Sequence, residues 1–141
     1  MLDLAYFFLV SLIILISTVG YGYLFVKLAN FDTKNINLGL VGFLGLFFLS
    51  IIASYSHIFI AHGYIFNMVV ITVGLILICN FLINSDFRLI NLKYLIIIFL
   101  LTFLCVVISK TNEDFPYYHL PNSLQFAEQK LQFGLGNLNH G

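Results

Sequence analysis

The sequence predicts an all-α, polytopic membrane protein with four transmembrane helices and a short amphipathic helix outside the cytoplasm. Hydrophobic residues make up 61% of the 141 residues and charged residues only 9%, and the mean hydropathy is +1.03. A soluble domain carries about a quarter charged residues, so this chain cannot solvate a water-exposed surface, and the lipid bilayer is its expected surroundings. The neutral net charge and the lack of a basic cluster argue against nucleic acid as a partner.

Four apolar runs predict the transmembrane region, residues 1–109. They cover residues 4–26, 38–56, 65–83 and 89–109. A helix rises about 1.5 Å per residue and the hydrocarbon core is about 30 Å thick, so roughly 20 residues suffice for each crossing. The runs lack the alternation of a barrel strand, which favours helices. The first run is too long for a secretion signal, so we expect it to remain as a span.

The basic residues predict the orientation. Lys27 and Lys34 lie in the first connection and Arg88 and Lys93 in the third, whereas the second connection, residues 57–64, has no Lys or Arg. Cytoplasmic loops of membrane proteins are enriched in Lys and Arg. The first and third connections are therefore expected in the cytoplasm, and the N-terminus, the second connection and the C-terminal tail outside it.

Two residue sets within the runs predict packing and anchoring. Glycines recur every three residues on the second helix, which favours close approach of a neighbouring helix. Those glycines are Gly39, Gly42 and Gly45. Tyrosines near the span ends are expected to anchor the helices at the lipid headgroups. Those tyrosines are Tyr6, Tyr21, Tyr23, Tyr55, Tyr64 and Tyr94.

The polar tail, residues 110–141, holds the candidate chemistry, because two of the four histidines and three of the six acids lie in it. Glu113 and Asp114 follow the fourth run directly, at the expected boundary between lipid and water. A carboxylate there can act as a general base, bind a metal or hold a cation. Alternatively, Asn112 or Asp114 caps a helix that has Pro116 in its first turn. Both interpretations hold if one acid caps the helix and the other stays free.

The tail also predicts an amphipathic helix over about residues 121–133. Leu124, Ala127 and Leu131 share one face, with polar residues on the other, so the helix is expected to lie on the membrane surface. The glycine-containing run 134–141 is expected to end the helix and form a flexible, polar binding loop.

Other site types find little support in the sequence. His57 and His62 would lie about 140° apart on a continuous helix, so they would share a metal only if the turn is irregular. Ser123 lacks a nucleophile-elbow motif, and Cys105 lies within the bilayer. The sequence therefore predicts no metal and no cofactor.

The tail resembles a known family in two stretches. Residues 113–121 read E-D-F-P-Y-Y-H-L-P and residues 133–141 read F-G-L-G-N-L-N-H-G. These stretches resemble uncharacterised bacterial multi-spanning membrane proteins that are similar to glycosyltransferases of the C superfamily. The resemblance implies a bacterial plasma (inner) membrane. It also implies an N-terminal fragment that packs with the remaining transmembrane helices of a longer protein, and the isolated chain is then expected to be inactive.

The resemblance also implies a reaction and a site. Enzymes of that superfamily use a polyprenyl-phosphate sugar as donor and place an acidic base on an outer loop that follows a transmembrane helix. Asp114 matches the position of the base and Glu113 that of its partner, although the superfamily's acidic loop usually follows the first helix rather than the fourth. The substrate-binding residues are then expected to be Tyr117, Tyr118, His119, Asn139 and His140.

Two other functions remain open. The chain is alternatively a non-catalytic membrane subunit or transporter fragment whose tail docks a partner, and the acids then only cap and solvate. A third hypothesis is a polymerase or ligase of surface polysaccharide with different catalytic residues.

Overall fold

The computed structural model describes residues 2–31, 36–84, 89–108 and 115–131, and these residues form helices with no strand among them. The predicted all-α class is thus confirmed. The helices are α1 (Leu2–Leu28), α2 (Leu38–His57), α3 (Tyr64–Asn84), α4 (Leu89–Ile108), a π-helical turn (Phe115–His119) and α5 (Leu120–Glu128).

Three of these helices are long and apolar enough to cross a membrane. The qualifying stretches are Asp3–Leu28 of α1, Leu38–His57 of α2 and Tyr64–Ile83 of α3. In α4 the described apolar stretch is shorter, Ile96–Ile108. The chain is therefore a membrane protein by the length and composition of its helices.

Helix α1 packs against both α2 and α3. Its contacts with α2 pair Thr18 with Gly45 and Gly22 with Val41, so these helices are antiparallel. At both pairs a Cβ added to the glycine would collide with the opposing carbonyl oxygen. The helices therefore meet backbone to backbone, which small residues permit in membranes.

Helix α3 runs parallel to α1 and approaches it equally closely. Gly20 of α1 lies against the backbone of Gly74, and Gly74 in turn lies against the side chain and backbone of Ser17. Further along, the ring of Tyr23 stacks on Phe81 with 3.3 Å between ring centroids.

The predicted glycine spacing on α2 is confirmed as a site of backbone contact at one position of three. Gly45 meets the backbone of α1, whereas Gly42 faces α1 at an ordinary distance, because a Cβ there would lie 3.8 Å from the side chain of Val19. Gly39 instead lies in the first turn of α2, where its N–H donates to the side chain of the capping residue Asn37 at 2.7 Å. Three-residue spacing rotates successive positions by about 300°, so the stripe drifts away from one neighbour.

Two of the predicted tyrosine anchors lie inside the bundle instead. Tyr21 and Tyr23 are both buried, and the Tyr21 hydroxyl donates to the Val70 carbonyl at 2.9 Å. The anchor prediction is wrong for both residues, because α3 covers the side of α1 on which these rings lie.

Helix α4 contacts the first turns of α1 through aromatic rings. Phe8 lies 5.4 Å from Phe99 and 5.0 Å from Phe103, and Phe7 lies 5.5 Å from Phe103, all between ring centroids. Edge-to-face pairs at such distances are favourable aromatic contacts.

Helix α5 is shorter than predicted. It ends at Glu128, and Gln129 has extended backbone angles, φ −130° and ψ 143°. Leu131 is therefore not part of the predicted helical face. Its N–H donates instead to the carbonyl of His57 at 2.8 Å, and this long-range hydrogen bond replaces a helical one.

Candidate functional site

The connection between α2 and α3 brings two histidines together. Helix α2 ends at His57, the chain turns through residues 58–60, and α3 begins at Tyr64. This turn is irregular, and it leaves the rings of His57 and His62 with 4.7 Å between their centroids and 56° between their planes. On a continuous helix, His57 and His62 would lie about 140° apart and thus on different faces. We call these two residues the histidine pair.

Both flanking helices hold the His62 ring in position. The ring stacks on Phe66, with 4.2 Å between centroids and 5° between planes. Ser56 Oγ lies 2.9 Å from His62 Nε2, and the Asn67 side-chain amide donates to the His62 carbonyl at 2.9 Å. The last turn of α2 and the first turn of α3 thus define where this imidazole lies.

His57 is the more deeply buried member of the pair. It is only 7% exposed, and its ring centroid lies 4.8 Å from that of Phe126 in α5. Within the described part of the chain, its Nδ1 has no hydrogen-bond partner. A buried polar atom without a partner is costly, so it commonly marks a place where a ligand or a water completes the site.

The tail segment, defined as residues 115–131, folds back over the histidine pair. The N–H of His62 donates to the Phe126 carbonyl at 3.0 Å, and the N–H of Leu131 donates to the His57 carbonyl at 2.8 Å. Gly63 lies so close to α5 that a Cβ there would be 3.2 Å from the Ala127 carbonyl oxygen. The tail segment thus contacts the α2–α3 connection through its backbone as well as its side chains.

Two cavities meet at His57. The larger cavity, about 460 Å³, is lined by Ala53, Ser54, His57, His62, Asn67, Ser123, Phe126 and Ala127. The smaller cavity, about 270 Å³, is lined by His57, Asn122, Gln125, Phe126, Gln129, Lys130 and Leu131. Both lie between the α2–α3 connection and the tail segment. Because residues of the tail line both cavities, the cavities form only when the tail is docked.

The electrostatics of the site favour neutral imidazole at His62. Burial lowers its pKa below the usual value of 6.5, and the neighbouring His57 lowers it further, because two positive charges at this distance repel each other. Lys130 supplies a positive charge on the other side of His57, and no carboxylate is among the described residues that line either cavity.

Four of the predicted site residues lie outside the described residues. These are Glu113, Asp114, Asn139 and His140. The other three are exposed and line neither cavity: Tyr117 is 76% exposed, Tyr118 is 65% exposed, and the His119 ring lies 6.5 Å from that of Phe115.

The histidine pair was not among the predicted site residues. Two histidines in a short polar connection between two apolar runs were the available signal, but only an irregular turn brings them together, and their spacing alone does not predict that turn. Within the described ranges, no three His, Cys, Asp or Glu side chains come together as a set of metal ligands.

Residues 4–140 match the model of a protein family described as "Domain of unknown function (DUF8201)". The match covers nearly the whole chain, so the chain belongs to this family. No curated protein and no solved structure matches it.

Proposed function

We propose that this member of the family is a four-span membrane protein with a glycosyltransferase-like site at the end of the bundle where the tail segment docks. The contact between the tail segment and the α2–α3 connection supports the fourth crossing. Helix α3 leads the chain away from that connection, so α4 has to bring it back before residues 115–131 can dock there. The contact of Phe99 and Phe103 with the first turns of α1 agrees with this course.

The docking end of the bundle faces away from the cytoplasm in this proposal. The second connection contains no Lys or Arg, whereas the first contains Lys27 and Lys34 and the third contains Arg88, with Lys93 near the start of the fourth run. Single cysteines at Ala61 and Asn35, in a chain whose Cys79 and Cys105 are replaced by alanine, test the orientation. An impermeant thiol reagent added to intact cells should label position 61 and not position 35. The opposite pattern would contradict the orientation.

The proposed donor is a polyprenyl-phosphate sugar, and one observation carries this choice. The tail segment covers cavities that several polar side chains help to line, at the end of a bundle whose helices expose large apolar side chains along their length. An amphiphilic donor needs both surfaces, one for its chain and one for its polar head. Glu113 and Asp114 immediately precede the tail segment in sequence, which supports Asp114 as the base toward the acceptor hydroxyl and Glu113 as its partner.

The Asp114→Asn variant separates catalysis from helix capping. If Asp114 is the base, the amide is as damaging as Ala, because it cannot accept a proton at neutral pH, and the transfer rate falls on the order of 10²-fold or more. If Asp114 only caps, Asn is nearly harmless, whereas Ala costs about 1 kcal/mol of local stability.

The assay measures sugar transfer from a polyprenyl-phosphate donor in membranes that carry the full-length protein as wild type, Asp114→Asn or Asp114→Ala at matched amounts, because the 141-residue chain alone is expected to be inactive. Glu113→Gln serves as the paired variant and should lower the rate less than Asp114→Asn. Equal activity of Asp114→Asn and wild type would eliminate Asp114 as the base.

A further inference from the structure

The smaller cavity beside His57 has the lining of an anion site. Its lining includes one lysine, Lys130, and three residues with side-chain amides, Asn122, Gln125 and Gln129. No carboxylate is among its described lining residues. Ammonium and amide groups donate hydrogen bonds, and a charged partner roughly doubles the strength of such a bond.

The buried nitrogen of His57 is a second, independent indication of a ligand. His57 lines the cavity, is 93% buried, and has an Nδ1 atom without a hydrogen-bond partner in the described part of the chain. The ring's neighbours on two sides are the rings of His62 and Phe126, which place no acceptor or donor on Nδ1. Nδ1 itself has almost no accessible surface, so a rotation of the ring has to bring it to the cavity, where a ligand oxygen would supply the missing partner.

The backbone around the cavity by itself disfavours an anion. Helices α2 and α5 both end here, and the carbonyl groups at a helix C-terminus repel negative charge. Two of these carbonyls are hydrogen-bonded, the His57 carbonyl by the N–H of Leu131 and the Gln125 carbonyl by the N–H of Gln129. An anion bound here therefore depends on the positive charge of Lys130 to offset the remaining repulsion.

We propose that the smaller cavity binds a phosphate group, held by Lys130, His57 and the side-chain amides of Asn122 and Gln125. Phosphate offers several acceptor oxygens, which matches a lining of several donors around one cation. The phosphate is either the headgroup of a lipid carrier, whose chain then lies along the apolar bundle, or free inorganic phosphate. The lipid source rests on the function proposed above, whereas the phosphate site rests on the lining alone.

The test compares two lysine variants of the whole chain in detergent micelles. Lys130→Gln removes the cavity's positive charge, and Lys27→Gln is the matched control, because Lys27 is an exposed lysine in the last turn of α1, the helix end farthest from the second connection. Native mass spectrometry measures the dissociation constants of farnesyl phosphate and of farnesol. Wild type should bind the phosphate at least about tenfold more tightly than the alcohol.

Lys130→Gln should remove that preference, and Lys27→Gln should keep it. Loss in both variants or in neither would overturn the site, since non-specific attraction would then explain the binding. Competition by inorganic phosphate would identify the free anion as sufficient, whereas Lys130-dependent binding without competition would identify the lipid headgroup. Failure of both probes to bind wild type would also overturn the site.

A second measurement does not depend on a folded variant. The imidazole nitrogen signals of His57 in ¹⁵N-labelled wild type should shift when farnesyl phosphate is added and stay unchanged with farnesol. Unchanged signals with both compounds would contradict contact with His57. Binding with these properties, but without sugar transfer by membranes that carry the full-length wild-type protein, would overturn the enzyme proposal and leave the phosphate site intact.

Discussion

Two regions of this chain are held together in opposite ways. The first is the interface that α1 forms with α2 and α3, and the second is the docked tail segment. At the first, Gly22, Gly45 and Gly74 bring helix backbones into direct contact. At the second, two backbone hydrogen bonds and the contact of Phe126 with His57 close over cavities of about 270 and 460 Å³. At these three glycines the bundle therefore has no space for an added methyl group, whereas the tail covers open space.

This difference implies different responses to change. An atom inserted between packed backbones must displace whole helices, because a packed interior is not continuously deformable. A segment held by few contacts opens locally, at a free energy well below that of global unfolding. The bundle is then expected to set the stability of the fold, and the tail to set access to the histidine pair.

The largest effect is expected from Gly45→Ala. Its new Cβ would collide with the Thr18 carbonyl oxygen, which belongs to backbone and cannot rotate away. Overpacking of this kind typically costs about 1–3 kcal/mol. Thermal unfolding of the protein in detergent, followed by circular dichroism at 222 nm, measures the loss.

Gly42→Ala is the matched control on the same helix. Its Cβ would lie 3.8 Å from the nearest side-chain atom, an ordinary contact, so the change should be neutral or stabilise the helix by up to about 1 kcal/mol. Equal destabilisation by both variants would contradict backbone contact at Gly45 as the reason.

A smaller and local effect is expected from Phe126→Ala. The Phe126 ring is 51% exposed and contacts His57, so its removal should weaken tail docking by about 1 kcal/mol and leave bundle melting unchanged. The His62 amide donates to the docked tail, and the Leu131 amide donates from the tail to His57. Hydrogen exchange of both amides should become about fivefold faster.

Leu124→Ala is the control for Phe126→Ala. Leu124 is 50% exposed on the same helix and lines neither cavity, so its removal should not change exchange at these two amides. Equal acceleration by Leu124→Ala would indicate that general loss of α5 helicity, rather than loss of the contact with His57, releases the tail.

The smallest effect is expected from acidification. The pKa of His62 is lowered in the folded protein, so the contribution of neutral His62 is fully present above about pH 6.5 and is lost as the pH falls through the lowered pKa. Protection of the Leu131 amide, corrected for the intrinsic pH dependence of exchange, should therefore decrease between pH 7 and pH 5.

His62→Gln should remove this decrease, because the glutamine side chain does not titrate. The same pH dependence in the variant would show that a group other than His62 titrates.

Part of the site was predictable from local sequence and part was not. The polar segment after the fourth apolar run was predicted to hold the candidate site, and residues 115–131 do help to line both cavities. Tyr117 and Tyr118 were predicted as site residues because they lie close in sequence to the acids, but in the structure their side chains are exposed and line neither cavity. Proximity in sequence predicts a shared segment but not a shared face.

The sequence by itself determined the membrane class, the helical state and the approximate bounds of the apolar helices. These properties depend on hydropathy and on backbone hydrogen bonds within each segment, so no knowledge of the neighbours is needed. Tertiary structure decided three features: which glycines form helix contacts, where α5 ends, and how His57 lies against His62. Each depends on a group distant in sequence: the Thr18 carbonyl against Gly45, the His57 carbonyl for Leu131, and the irregular turn that reverses the chain between α2 and α3.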